Sequence, residues 1–438
     1  MRRYASILRR RGALAPFLAA FAARLPVSMV PLGMVLLIQS VRGSYSVAGV
    51  ITAMYTIGVA LASPGWGALI DRIGQPWVIG PLSLTSALLL AGLAQGVVAG
   101  LPDSALIVLA VGVGLTFPPI SPAMRAAWRV ILDDEADRRA AYALEAVVIE
   151  VMFVGGPLLL SALLVVDSAQ APLLLVAGLL GVAGLGYALT GAARAWRPEP
   201  HASGAHVRGR SPLRSLGVVA SLAVGLLVAV GFGQLDVALA ATAGSILGDQ
   251  ARVGLLFTAI AGGSAIGGTV YGALVPHRPG ADHGRLPFVL AGFAAGLALV
   301  TLAITRQVSS LAVLMPLLFL TGLAIAPGLI MLANLVDESA PRDRLTQAQA
   351  WLTTAFTAGA AAGTALAGLL IDRGGPRLGF GGASLALVIA VVIAILAQRV
   401  WRRLGVPRGH GEQSEQHEQH DEQRHRPRAQ ESSAQLRQ

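Results

Sequence analysis

Short polar gaps divide this chain into a series of apolar stretches. A helix of roughly 20 apolar residues crosses the hydrocarbon core of a bilayer. A soluble fold could not bury so many stretches of this length, and only 13% of the residues are charged, against about 25% in soluble domains. We therefore predict an all-α membrane protein.

Twelve stretches meet this length, and we expect twelve transmembrane helices. The longest polar gap runs from Arg194 to Arg214 and divides the spans six and six. We predict six-helix bundles at residues 1–194 and 214–403, joined by a cytoplasmic loop at 195–213. Residues 404–438 are polar, so we expect them to form a disordered cytoplasmic tail. The histidines of this tail do not follow the spacing of a metal site, so we expect no metal binding there. The spans should begin near Leu14, Ser46, Trp77, Ser104, Tyr142, Pro172, Leu216, Val253, Leu286, Leu311, Ala348 and Gly379.

The 33 basic residues are all arginine, and the net charge is +10. They lie in the gaps between spans, which indicates membrane topology rather than nucleic-acid binding. With both chain ends on one side, that side carries 22 arginines up to residue 408 and the other side carries 5. We call these the basic side and the opposite side. Because arginine is retained on the cytoplasmic face, we expect both termini in the cytoplasm of a bacterial cell and the spans in its inner membrane.

Several function classes lack the residues that they require. The chain has no lysine for a Walker A loop, so we expect no use of ATP. It has no cysteine for a thiolate metal site. Neither an HExxH nor a GxSxG motif occurs. We therefore expect no enzyme activity, no cofactor and no metal. A membrane sensor stays the less favoured alternative, because no soluble output domain is evident.

The gap after the second span reads GALIDRIG. Gly67 allows close approach of a neighbouring helix, and Asp71 suits a helix N-terminus or a cation. Together with Arg72 and Gly74, the string resembles the GxLxDRxG signature of the major facilitator superfamily, which lies between the second and third of twelve spans. The resemblance implies a latch between two halves on the cytoplasmic side. The basic residues that usually end the family's pattern are replaced here by Gln-Pro.

Two further strings repeat this pattern at related places. GALVPHRPG at 272–280 follows the eighth span and lacks the Asp, whereas GLLIDRGG at 368–375 follows the eleventh span and keeps the full spacing. Facilitators are built from repeated six-span units that contain inverted repeats. The resemblance thus implies the facilitator fold of two pseudo-symmetric six-helix bundles.

The fifth span contains Gly155, Gly156 and Pro157. A proline frees one backbone carbonyl, and paired glycines let neighbouring helices pack closely. The string resembles the Gly-Pro signature of the antiporters in this superfamily, although larger residues replace the family's flanking small ones. It favours a hinge in an exporter of the drug or metabolite:proton antiporter branch. A plain helix kink is the alternative.

Charged residues inside the membrane are costly and face a cavity or a partner. Arg24 lies deep in the first span, as an anion anchor or in a structural ion pair with Glu150. Asp236 in the seventh span is the first candidate for proton coupling, because a buried carboxyl group can exchange protons. Arg125 suits a cytoplasmic gate or a substrate contact.

Two other polar residues lie near or within the spans. Asn334 in the tenth span either binds substrate or ties helices together, and we favour the tie. Glu145 lies close to the predicted start of the fifth span at Tyr142, so we expect an interfacial position for it.

The combined patterns predict a secondary transporter that exports small amphipathic compounds by alternating access. The proton gradient would supply the energy, and the expected partners are a small-molecule substrate and the lipid bilayer. We expect a functional monomer that binds neither nucleic acid nor ATP. A sugar or metabolite permease, or an uptake symporter, is the alternative. It would require more polar residues around the cavity than Tyr55, Gln234 and Asn334.

Overall fold

The computed structural model describes residues 7–10, 12–166, 170–196, 211–274, 280–308, 310–341 and 344–404. These residues contain twelve helical segments that are long and apolar enough to cross a membrane. The fold is all-α, and no strand occurs in the described ranges. The tail after residue 404 and most of the loop predicted at 195–213 lie outside them, so these boundaries remain predictions.

The segments are numbered α1 to α12 in chain order, and two of them are interrupted. The first six are α1 (Leu14–Arg42), α2 (Tyr45–Ile73), α3 (Gln75–Val98), α4a (Asp103–Leu115) with α4b (Ile120–Ile131), α5 (Glu135–Val166) and α6 (Gln170–Ala188). The second six are α7 (Leu216–Ala241), α8 (Val253–Leu274), α9 (Asp282–Thr305), α10a (Leu311–Gly322) with α10b (Ile325–Ser339), α11 (Leu345–Gly374) and α12 (Pro376–Leu404).

Very short turns make consecutive spans antiparallel. The final glycine of each full GxLxDRxG string forms such a turn, Gly74 between α2 and α3 and Gly375 between α11 and α12. Their φ angles are 96° and 74°, a left-handed backbone region that glycine adopts without a Cβ clash. The glycine therefore reverses the chain at the same point of both repeats.

Packing follows the same plan in both halves. In the first half α1 and α3 pack on α6, and α2 packs on α4a. In the second half α7 and α9 pack on α12, and α8 packs on α10a. Each pair of packed helices in the second half corresponds to a pair in the first half whose helix numbers are lower by six. The described helices therefore form two repeats of a facilitator fold. Between the halves, α2 packs on α11 and α5 packs on α8.

The predicted span starts agree with the structure to within four residues, with one exception. Helix α5 begins at Glu135, seven residues before the predicted start at Tyr142. Its first turns carry the charged string EADRR, which hydropathy assigns to a loop. Asp137 in this part is bonded to Arg10, whose Nη2 lies 2.6 Å from the carboxylate, so charged side chains extend the helix beyond its apolar part.

Candidate functional site

The two halves are joined at the opposite side of the bundle. Five hydrogen bonds join described residues of the two halves, and they lie at helix ends on that side. Three of them end on Asp372 at the end of α11. The Gln250 side chain donates to Gln39 at 2.9 Å, and the Gly254 N–H donates to Ser161 Oγ at 2.6 Å.

The predicted cytoplasmic latch makes no such contact in this structure. Asp71 and Arg72 are exposed, and neither has a hydrogen bond or ion pair with a described residue. A Cβ added at Gly67 would meet open space. Gly74 forms the turn after α2. The string on the basic side is thus unengaged, while its copy on the opposite side is bonded.

The residue that replaces the family's basic position has a structural role of its own. Gln75 is fully buried. Its Nε2 donates to the Ala123 carbonyl at 3.0 Å, and its Oε1 accepts a hydrogen bond from the Tyr187 hydroxyl at 3.0 Å. Gln75 therefore ties α3 to α4b and α6, which an arginine in this buried place could not do without a counter-charge.

A cavity of about 470 Å³ lies between the halves. Its size falls within the range of about 300 to 1,000 Å³ typical of small-molecule sites. Helices α1, α2 and α5 line it from the first half, and α7, α8, α10b and α11 line it from the second half. Apolar side chains dominate, among them Phe153, Phe232, Phe257 and Phe356. The cavity is large enough to hold a small molecule.

Asp236 is the one ionisable residue among the described residues that line the cavity. It belongs to α7, 20 residues from Leu216, or about 30 Å along the helix. Its side chain is exposed to the cavity, whereas Leu235 and Val237 beside it are buried. No described residue forms a hydrogen bond or ion pair with its carboxylate. The carboxylate is thus free to meet water, a proton or a ligand.

Arg24 is engaged in a buried cluster and does not line the cavity. Its Nη1 is hydrogen-bonded to Glu145 Oε2, and both side chains are only 2% exposed. Trp128 Nε1 donates to the second oxygen, Glu145 Oε1, at 3.1 Å. The cluster joins α1, α4b and α5 within the first half. The described partner of Arg24 in a structural ion pair is therefore Glu145.

Glu145 is buried inside the bundle. Helix α5 begins at Glu135, but its apolar span begins at Ala140, so Glu145 lies about 8 Å along the apolar part. Its expected interfacial position stays a prediction. The side chain of Glu150 lies outside the described residues, and its predicted role stays a prediction.

The remaining predicted polar residues have separate surroundings. Arg125 is exposed on α4b and is not among the cavity residues. Asn334 Nδ2 donates to Asp282 Oδ2 at 2.8 Å, and the Tyr271 hydroxyl donates to Oδ1 at 2.8 Å. Asp282 is 3% exposed. The favoured role of Asn334, a tie between helices, agrees with this contact between α10b and α9.

The Gly-Gly-Pro string lies where α5 crosses α1. A Cβ at Gly156 would overlap Ser28 Oγ, whereas one at Gly155 would meet open space. The Ser28 hydroxyl donates to the Met152 carbonyl at 3.0 Å. Pro157 faces the cavity, and helix α5 continues through it. The structure therefore shows one close-packing glycine beside a proline, in the wall of the cavity.

Sequence reasoning missed three polar partners. Glu145 and Trp128 complete the Arg24 cluster, and Asp282 holds Asn334. The sequence carried no clear signal for Glu145, because hydropathy placed the start of the fifth span at Tyr142 whereas α5 begins at Glu135. Asp282 was not predicted because the sequence places it in the polar gap before the ninth span. In the structure it is the first residue of α9 and is buried.

Comparisons with known proteins agree with this architecture. The NupG nucleoside transporter is 11% identical and has a TM-score of 0.68, with 89% of this chain and 99% of that chain covered. A peptide transporter, POT, is 16% identical with a TM-score of 0.65, and the match covers 91% of this chain and 96% of that chain. A bacterial homolog to the human lysosomal transporter Spinster is 14% identical with a TM-score of 0.62, covering 92% and 97%. At these identities the likeness concerns the fold.

No curated protein sequence matches the chain. The family model described as Major Facilitator Superfamily matches residues 16–238 and 221–430, which together span most of the sequence. With its twelve spans and two repeats, the chain is a multi-pass membrane protein that belongs to the major facilitator superfamily of transporters.

Proposed function

We propose that this protein is a secondary active transporter that exports small amphipathic organic compounds in exchange for protons, by alternating access. The observation that carries the proposal is Asp236, an unpaired carboxylate exposed to an apolar cavity between the two halves. Apolar walls suit the apolar part of a cargo. One carboxylate without a basic partner suits a group that gains and loses a proton.

The contacts between the halves support an inward-facing state. They lie on the opposite side, and the arginine distribution assigns the basic side to the cytoplasm. The Spinster homolog that resembles this chain is described as inward-facing and unoccupied. In this assignment a cytoplasmic compound has access to the cavity, which is the first step of export.

The Gly-Gly-Pro string adds support for motion at the cavity wall. Gly156 allows α1 and α5 to pack closely, and Pro157 removes one backbone hydrogen bond from α5. One turn later Ser161 bonds to the start of α8 in the other half. A change of angle at Pro157 would therefore move a contact between the halves.

A sugar permease is less well supported. Such a site would require more polar residues than Tyr55, Gln234 and Asn334, and none of these three is among the described cavity residues. Tyr55 and Gln234 are buried within the helix packing, and Asn334 is bonded to Asp282. An uptake symporter stays the alternative, and the direction of proton movement separates it from an exporter.

The remaining expectations form part of the same proposal. The protein would act as a monomer in a bacterial inner membrane, with its termini in the cytoplasm. The lipid bilayer and the cargo would be its partners. It would require neither ATP, nor nucleic acid, nor a bound cofactor, since the proton gradient supplies the energy.

Transport in everted vesicles with a panel of amphipathic compounds tests the proposal. An exporter moves compound into the lumen while protons leave it, whereas a symporter moves both in the same direction. Asp236→Asn should abolish compound-dependent proton movement but retain exchange of labelled for unlabelled compound. Asp249→Asn is the matched control, because this loop carboxylate is about half exposed and lies outside the cavity. Proton-coupled transport by Asp236→Asn at the wild-type rate would disprove the role of Asp236.

A further inference from the structure

Helices α2 and α11 carry the same string at the same place. GALIDRIG occupies the last turns of α2, and GLLIDRGG occupies the last turns of α11. The two helices belong to different halves and pack on each other. Because they are antiparallel, the string of α2 lies on the basic side and that of α11 lies on the opposite side. Each string therefore lies on the same side as the start of the other helix, and in this structure the string of α11 contacts the start of α2.

On the opposite side this arrangement is fully engaged. Asp372 Oδ1 accepts the Tyr45 N–H at 2.8 Å, and Oδ2 accepts the Ser46 N–H at 2.9 Å. The Ser44 hydroxyl donates to Oδ2 at 2.8 Å. These groups form the first turn of α2, where N–H groups lack partners within the helix and a negative charge is favoured. A carboxylate of one half thus caps a helix of the other half.

Glycines bring the two helices close enough for this cap. A Cβ at Gly368 would overlap the Tyr45 carbonyl oxygen. One turn further along α2, a Cβ at Gly49 would lie 2.5 Å from the Thr364 carbonyl oxygen. Such contacts require the absence of a side chain. Gly368 and Asp372 are four residues apart and so lie on one face of α11.

We propose that Asp372 is the latch residue of the gate on the opposite side, and that it holds this gate closed by capping α2. The proposal rests on the alternating access proposed above and adds a residue that governs it. When the cavity opens to the opposite side, the Asp372 cap must break. Asp71 in the string of α2 is exposed in this structure. In this proposal the two copies hold the protein closed on alternate sides.

The start of α11 is suited to this exchange. Arg344 occupies the N-cap position of α11, and the described first turn begins at Leu345. By the symmetry of the strings, Gly67 would approach the backbone at Leu345 as Gly368 approaches it at Tyr45. The open space beside Gly67 and the unengaged carboxylate of Asp71 are what remains when that contact is broken.

Distances between spin labels in the purified full-length protein test the proposal. The chain has no cysteine, so paired cysteines can be introduced without removing native ones. Leu101 before α4a and Val308 before α10a are exposed loop residues of different halves on the opposite side. Labels at these positions should report a short distance when the gate is closed and a longer one when it is open.

Asp372→Ala should increase the ratio of open to closed gate by about 2- to 30-fold, the range expected when alanine replaces a helix-capping side chain. The matched control is Asp103→Ala, which removes the same side chain from an exposed residue on the same side and should leave the distances unchanged. An unchanged distance distribution in Asp372→Ala, or an equal shift in Asp103→Ala, would overturn the proposal.

A second pair of variants tests the latch without altering any charge. Gly368→Val blocks the close approach to Tyr45 and should also open the gate on the opposite side. Gly67→Val faces open space in this structure and should leave that gate closed. Equal behaviour of the two variants would refute the assigned contact. These distances are measured without cargo or a proton gradient, so failure of the latch and failure of proton-coupled export are distinguishable.

Discussion

The Arg24–Glu145 pair allows a sharp test of whether Arg24 is structural or binds cargo. Both side chains are 2% exposed, and Arg24 Nε and Nη2 are buried without a hydrogen-bond partner among the described residues. The informative changes are Arg24→Met, Glu145→Leu and the two combined. Each single change leaves one charge buried and unpaired, whereas the double change leaves an apolar contact of similar volume.

The expected magnitudes differ strongly between these variants. Removing one partner of a buried ion pair costs about 3 to 5 kcal/mol, whereas replacing both with apolar residues is often neutral. The unbonded nitrogens of Arg24 mean that the wild-type pair is itself incompletely satisfied, which favours the double variant. If the two sites were independent, the double variant would lose about 6 to 10 kcal/mol. We expect it to lie within about 2 kcal/mol of wild type.

Unfolding in mixed micelles, followed by tryptophan fluorescence, measures these differences. Trp128 is bonded to Glu145 and reports the surroundings of the pair directly. Additive losses in the double variant would refute the structural account of the pair. Transport provides a second criterion, because a structural Arg24 predicts that the stable double variant still transports. A folded double variant without transport would instead assign Arg24 to cargo binding.

Three further predictions follow from the described contacts. Gly156→Val should separate α1 from α5 and lower the free energy of unfolding by about 1 to 3 kcal/mol. A side chain at Gly155 meets open space, so Gly155→Ala should change this free energy by less than about 0.5 kcal/mol. Equal losses in the two variants would contradict the assigned crossing of the helices. Asn334→Ala should cost about 1 to 3 kcal/mol in the same assay, because it removes a donor from the buried Asp282 carboxylate, and a neutral result would contradict the tie. A cysteine at Leu101 should react with a membrane-impermeant thiol reagent added to whole cells, and one at Asp133 should react only after permeabilisation; the reverse pattern would invert the proposed topology.

Much of the fold could be predicted from the sequence, because membrane spans are signalled by length and hydropathy alone. Most predicted starts lie close to the observed ones, and the repeated GxLxDRxG strings indicated two related halves before any contact was known. The start of α5 was the exception. Hydropathy places charged turns outside a helix, although Asp137 and its neighbours belong to α5 and precede its apolar part.

The candidate site was less predictable, because its contacts join residues far apart in sequence. Asp236 was predictable as an intramembrane carboxylate, since its cost inside a membrane requires a cavity or a partner. The bonds from Asp372 to the start of α2 connect residues more than 320 positions apart. The string around Asp372 was visible in the sequence, but its bonding partner depends on which gate is closed.

The depth of Asp236 determines where the membrane potential acts. In the proposed inward-facing state, water entering from the basic side would extend that solution to Asp236, about 30 Å along α7 from Leu216. The electric field would then fall mainly across the thin layer that contains the Asp372 cap. One elementary charge crossing the whole potential changes in energy by about 2.3 kcal/mol per 100 mV. Voltage would therefore act chiefly on the step in which a charge passes this layer, and only weakly on cargo binding from the cytoplasm.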